Sequence, residues 1–205
     1  MPNLISILAG RPVSVTLLVI TTAVSVQALR SRSLYLKWIL HPYSIFKRRE
    51  YRRMITSDLI HNDPVHLLIN AVLLFLICGE FEEFLRSKYL YGSLILLLIY
   101  LVSHLSGALA VCWSNRNNYD YSSAGASGSI LGCMMGFMIL APHYVAFYFP
   151  LAGEIRNQYA ALLVIVGLIV YKWRSGNIMM DNELHFFSAL GGILTTILYY
   201  PGLIY

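Results

Sequence analysis

The sequence predicts an all-α polytopic membrane protein, a single domain of six transmembrane helices spanning residues 1–205. Composition points to it first: 58% of the residues are apolar and only 12% are charged, against roughly 45–50% and 25% in soluble domains. The apolar residues gather in six runs, at about 12–29, 65–84, 90–113, 126–141, 159–173 and 184–204. Most of these approach the ~20 residues that a helix needs to cross ~30 Å of hydrocarbon. Between the runs lie charged or turn-rich stretches such as 114–123 and 174–183, with no internal repeat and no low-complexity tract.

The first run follows Arg11 and contains Val26-Gln27-Ala28, a tripeptide that passes for a signal-cleavage site. Its length of about 18 residues exceeds the ~7–15 of a signal core, so a retained helix is expected. Segment 30–63 is long for a connection and mixes aromatics (Tyr35, Trp38, Tyr43, Phe46) with bases (Lys47, Arg48, Arg49, Arg52, Arg53). That composition suits structured chain lying at the lipid headgroups. Glu82 and Glu83, closing the second run, are expected to cap or to pair locally, with Arg86 as the available base. Segment 143–157 holds an apolar stretch, 145–151, too short to cross and expected to lie in the interface.

The net charge of +5 resides in loops, which gives no basic stripe for nucleic acid. Cys78, Cys112 and Cys133 form no C-x-x-C pair and sit in or beside apolar runs, as buried free thiols do. No His-x-x-x-His pair and no pair of aspartates occurs within the runs, so neither a metal site nor an aspartyl dyad is expected.

The strongly polar residues inside the runs carry the functional argument. Apart from His104 on the third, read as structural, they stand near the starts of the second, fourth and sixth: His66 and Asn70, Ser127, and His185. In a six-span chain all even-numbered helices enter from the same face, so these four side chains share one depth on one side of the membrane. Ionisable groups there are costly and mark function. A serine hydroxyl becomes a nucleophile when a base takes its proton, and His185 is the histidine on those later helices with a suitable ordinary pKa. His66 and Asn70, spaced i, i+4, share a helix face and can hold an oxyanion together with the Ser127 N–H at a helix start. Gly128, Gly132 and Gly136 run down the fourth helix, and His185, Ser188 and Gly192 down the sixth. Small residues at this spacing let membrane helices touch backbone to backbone.

Gly125-Ala126-Ser127-Gly128 resembles the G-x-S-G motif of the rhomboid family of intramembrane serine proteases. His61-(x4)-His66-Leu67-(x2)-Asn70 resembles that family's second-helix motif. Asp181-Asn182-(x2)-His185-(x2)-Ser188-(x3)-Gly192 is similar to its sixth-helix motif. Arg53 matches the Arg of a first-loop Trp-Arg pair, and Gly79-(x2)-Glu82 the Gly and Glu closing the second helix. The chain departs from the pattern at Arg52 (usually Trp), Ser188 (usually Gly) and Leu131 (often Tyr).

The resemblance implies a six-helix rhomboid-like bundle with Ser127 and His185 catalytic and His66 and Asn70 binding the oxyanion. It also implies single-span transmembrane protein substrates and no cofactor or metal. Two rivals stand beside it: a catalytically inactive rhomboid-like protein that binds membrane helices, and a small transporter, for which a midplane polar site and an inverted repeat are missing. A soluble hydrolase would need G-x-S-x-G after a strand, and Ser129 occupies the second glycine's place.

Orientation brings two arguments into conflict. The resemblance implies an active site on the extracytoplasmic side of the cell membrane. The face carrying the even-helix starts holds eleven bases (Arg30, Arg32, Lys37, Lys47, Arg48, Arg49, Arg52, Arg53, Arg116, Lys172, Arg174) against four (Arg11, Arg86, Lys88, Arg156), which the positive-inside rule would turn to the cytoplasm. The extracytoplasmic expectation is kept, because a mixed aromatic and basic loop meets lipid phosphate on either leaflet.

Overall fold

The computed structural model describes residues 4–149, 153–175 and 181–200. The chain is mostly helical. A short α1 (Leu4–Gly10) leads into α2 (Pro12–Arg30). Segment 30–63 is ordered as expected. It folds into α3 (Arg32–Trp38), α4 (Pro42–Arg48), α5 (Arg53–Thr56) and a 3-10 turn at Ser57–Leu59. Then come α6 (Pro64–Leu73), one wide π-helical turn (Leu74–Cys78) and α7 (Gly79–Lys88), which run on as one rod, Pro64–Lys88. The rest are α8 (Gly92–Ser114), α9 (Ser127–Leu140), α10 (Asn157–Ser175) and α11 (Asn182–Tyr199).

Among the described residues three helices are long and apolar enough to cross a membrane: Pro12–Arg30, Pro64–Lys88 and Gly92–Ser114. They coincide with the first three apolar runs. Helix α9, with 14 residues, is only about 21 Å long, and the apolar part of α10 covers Asn157–Gly167. The sixth run was expected to reach 204; its helix ends at Tyr199, and 201–205 lie outside the described residues.

The all-α expectation needs a correction at segment 143–157. Within it β1 (Val145–Phe149) and β2 (Gly153–Arg156) pair antiparallel, Tyr148 with Glu154 and Phe149 with Gly153. Gly153, the first residue of β2, takes φ +74, a backbone conformation that glycine adopts readily.

Helix starts follow from local chemistry. Asp63 accepts from the His66 N–H (2.8 Å) at the head of α6, Pro64 standing at N1, and Asp181 accepts from the Leu184 N–H (3.1 Å) at the head of α11. Helix α2 lacks such a cap, since Arg11 at its N-cap position makes none. Fully buried Glu82 replaces it from α7, accepting from the N–H groups of Val13 (2.9 Å) and Ser14 (2.7 Å) and from Ser93 Oγ (2.6 Å). A carboxylate on free N–H groups at a helix N-terminus is favoured by both hydrogen bonding and the helix dipole. Arg11, itself buried, binds Glu83 (2.9 and 3.0 Å) and Glu80. Glu82 thus caps and Glu83 pairs, but across the fold; Arg86 instead reaches Ser93 Oγ at 3.2 Å. Arg53, the first-loop arginine of the motif, binds Glu50 (2.5 Å) and the carbonyls of Leu36 (2.7 Å) and Ile39 (3.0 Å), tying α3 to α5.

Helix α8 packs against α7 and α9 around Phe81, Leu85, Leu96, Ile99, Cys133 and Phe137, and against α11 where Leu184 meets Ala108, Val111 and Cys112. Phe81 and Phe137 stack at 4.8 Å. The three cysteines are free and buried.

Candidate active site

The turn that delivers Ser127 is built from small residues under tight constraint. Gly125 has φ +123, and a Cβ there would fall 2.7 Å from Cε1 and 3.0 Å from Nε2 of His66. Backbone conformation and space both demand glycine. The Gly125 N–H donates to Ser57 O (2.9 Å), and the Ala126 N–H to His61 Nε2 (3.4 Å). Helix α9 then opens with Ser127 as its first residue, and the capping position, Ala126, offers its N–H groups no side-chain acceptor. The first turn therefore presents donors and the positive end of a helix dipole at the serine.

His185 comes from the first turn of α11. Its Nε2 lies 2.8 Å from Ser127 Oγ, and its Nδ1 lies 2.6 Å from the Asp181 carbonyl oxygen. A carbonyl only accepts, so Nδ1 carries the hydrogen and Nε2 turns a lone pair to the serine hydroxyl. That is the tautomer a general base needs. The acceptor that orients the ring is a backbone carbonyl. The Asp181 carboxylate is used elsewhere, capping α11 and accepting from Tyr121 OH. Burial pushes the Asp181 carboxyl above its ordinary pKa.

The two helices meet where the glycines were noted. A Cβ at Gly128 would meet Ser188 Oγ at 2.6 Å, one at Gly136 Thr196 Oγ1 at 2.5 Å, and one at Gly192 the Gly132 carbonyl oxygen at 2.2 Å. Ser188, standing for the family's glycine, is fully buried there, and its hydroxyl has no hydrogen-bond partner among the described residues.

His66 lies with its ring against Gly125, two residues before the serine. Asn70, one turn along α6, is buried and donates through Nδ2 to the His66 carbonyl at 2.9 Å. A side-chain amide has a second N–H. The buried His66 Nδ1 and Asn70 Oδ1 have no partner among the described residues. His61 stands edge-on to His66 at 4.9 Å between ring centroids. Ser25 Oγ donates to Leu59 O (2.9 Å), so it accepts from His61 Nδ1 (2.8 Å), which leaves His61 Nε2 as the acceptor for Ala126. Burial, with His66 beside it, pushes His61 down to about 4, so the ring is neutral.

Sequence reasoning missed Asp58. Buried beneath the serine turn, its Oδ1 accepts from Ser129 Oγ (2.5 Å) and faces His104 Nδ1 (3.2 Å); its Oδ2 accepts from Tyr100 OH (2.7 Å). The other His104 nitrogen faces the Met54 carbonyl at 2.6 Å, so both ring nitrogens meet acceptors, as in an imidazolium–carboxylate pair. Burial raises the Asp58 pKa, but His104, Ser129 and Tyr100 outweigh it and leave the carboxyl below its ordinary value. The sequence signal for this cluster was His104 itself, an ionisable group inside a span with no assigned partner.

Beside Ser127 and His185 opens a cavity of about 610 Å³ lined by Asn62, Tyr121, Gly125, Ser127, Asp181 and His185, among others. No group of three or more His, Cys, Asp or Glu among the described residues is placed to hold a metal ion.

The sequence profile of the Rhomboid domain matches residues 48–202. Rhomboid protease GluP of Bacillus subtilis strain 168 is 28% identical over 149 residues, which is 73% of this chain but 26% of that protein. YdcA of the same strain, named provisionally as a rhomboid protease, is 28% identical over 149 residues, 73% of this chain and 67% of that one. The match to GluP thus takes in about a quarter of its length. With a profile match over most of its length and helices long and apolar enough to cross a membrane, this integral membrane protein belongs to the rhomboid family.

Proposed function

We propose that the chain is an intramembrane serine endopeptidase, a six-helix rhomboid bundle that cleaves single-span transmembrane proteins with a Ser127–His185 dyad. The observation that carries this reading is the 2.8 Å contact from His185 Nε2 to Ser127 Oγ, with Nδ1 turned to a carbonyl. His185 takes the hydroxyl proton as Ser127 Oγ attacks the scissile carbonyl. The carbonyl π electrons move to oxygen, and the Ser127 N–H, His66 and Asn70 hold the resulting oxyanion. Collapse breaks the C–N bond, and His185 returns its proton to the leaving amine. Water then loses a proton to His185 and attacks the acyl-enzyme, and Ser127 leaves protonated.

Orientation of His185 by a backbone carbonyl makes this a dyad, with Asp181 contributing through its main chain. The cavity beside the dyad would admit water and an unwound substrate segment. In this reading α9, α10 and α11 cross the membrane with the three longer helices, and the active site faces the extracytoplasmic side. No cofactor enters the reaction. The names of the two Bacillus subtilis relatives agree with the reading, at 28% identity. The rival, an inactive relative that only binds membrane helices, gives no reason for the matched tautomer at His185. The test is cleavage of a transmembrane reporter in liposomes holding the pure protein. Cleavage lost in both Ser127→Ala and His185→Ala supports the reading; cleavage that persists in either removes that residue from the chemistry.

A further inference from the structure

Segment 57–61 grips the turn around Ser127 at three points. Ser57 O takes the Gly125 N–H, His61 Nε2 takes the Ala126 N–H, and Asp58 takes the Ser129 hydroxyl. The first two hold the backbone before the serine, and the third holds the helix two residues after it. Asp58 is in turn tied to α8 through Tyr100 and His104. Burying ionisable groups is costly even when they are paired, and the proposed reaction uses neither Asp58 nor His104.

We propose that Asp58 is a positioning residue for the nucleophile: by holding Ser129 it fixes the rotation of the first turn of α9 and so keeps Ser127 Oγ on His185 Nε2. The inference rests on Ser127 being the nucleophile. Each helical residue turns the chain by about 100°, so Ser127 and Ser129 lie on nearly opposite sides of α9. An anchor at one sets the azimuth of the other. Without it the helix can turn about its axis within the small-residue seam that Gly128 and Gly132 make with α11.

Two variants separate positioning from plain stability. Ser129→Ala and Tyr100→Phe each remove one hydrogen bond from the same Asp58 carboxylate, and only the first touches α9. Both proteins are purified in detergent, and each is measured for thermal midpoint, for kcat and KM on a transmembrane reporter, and for the rate of Ser127 labelling by a fluorophosphonate. Misplacement of a reacting group by about 1 Å costs on the order of 10²-fold. Ser129→Ala is expected to lower kcat and labelling rate 10- to 100-fold with KM within threefold, and Tyr100→Phe to change either rate by less than threefold. Equal effects of the two variants on the rates, or wild-type rates in Ser129→Ala, overturn the inference. A wild-type protein that does not label at Ser127 instead overturns the protease reading, and the inference with it.

Discussion

Replacing Gly192 with Ala tests whether the glycine seam sets the geometry of the dyad. The new Cβ falls 2.2 Å from the Gly132 carbonyl oxygen, where ordinary contact begins at 3.4 Å. The atoms that the Cβ meets all belong to the Gly132 backbone, so no side chain can swing aside, and α9 and α11 must part there by about 1.2 Å. His185 lies seven residues nearer the start of α11, about 10 Å along the axis. If half of the displacement reaches it, the Ser127–His185 contact lengthens from 2.8 Å to about 3.4 Å, at the edge of a hydrogen bond. Overpacking of this kind costs about 1–3 kcal/mol of stability, and loosening the proton-transfer pair lowers kcat on the order of 10²-fold. Gly167→Ala is the control: nothing lies within 4 Å of its Cβ on α10, and alanine in a helix interior adds about 0.5–1 kcal/mol. Reporter cleavage and thermal melts on both proteins decide. A folded Gly192→Ala protein with wild-type kcat would refute the claim that this seam holds the dyad together.

Three further outcomes are expected. His66→Ala and Asn70→Ala should each lower kcat by about 10²–10³ with little change in KM, and a pure KM effect would move them to substrate binding. His61 is neutral in the folded protein down to about pH 4, whereas the unfolded chain takes up its proton near 6.5. The unfolded state therefore binds the extra proton in that window, and His61's contribution, intact above pH 6.5, falls as pH drops towards 4, by roughly 3 kcal/mol in total. Unfolding midpoints at pH 7.5, 5.5 and 4 should show this slope, and His61→Asn should flatten it; an equal slope in that variant refutes the assignment. Single cysteines at Arg32 and Lys88, in a background without the native cysteines, should label with an impermeant maleimide in intact cells at 32 and not at 88. The reverse pattern would place the active site on the cytoplasmic side.

The sequence made the site legible and left its supports hidden, for physical reasons. Apolar length marks helices α2, α6–α7 and α8 directly, because a membrane tolerates no other pattern there. Ser127, His185, His66 and Asn70 could be read together because each is a polar group near the start of an apolar run, where a polar group stands out. Asp58 has no such background: it lies in a polar connection, where an aspartate is ordinary until His104 is seen beside it. Glu82 shows the same limit, since its capping of α2 depends on chain 68 residues away, whereas sequence reasoning looked for a partner one turn along. The β1–β2 pair went unread because a short apolar stretch fits an interfacial segment and a strand equally well. The ring acceptor for His185 proved to be a backbone carbonyl, which no residue identity can announce.

In the proposed reaction Ser127 is an activated nucleophile. The most direct test is to treat the purified protein with a fluorophosphonate and to locate the adduct by peptide mass spectrometry. One adduct is expected, on Ser127, forming at least about 10²-fold more slowly in His185→Ala, since base removal typically costs about 10²–10⁴, and absent in Ser127→Ala. An adduct on another serine, or labelling of Ser127 at an unchanged rate without His185, would contradict it.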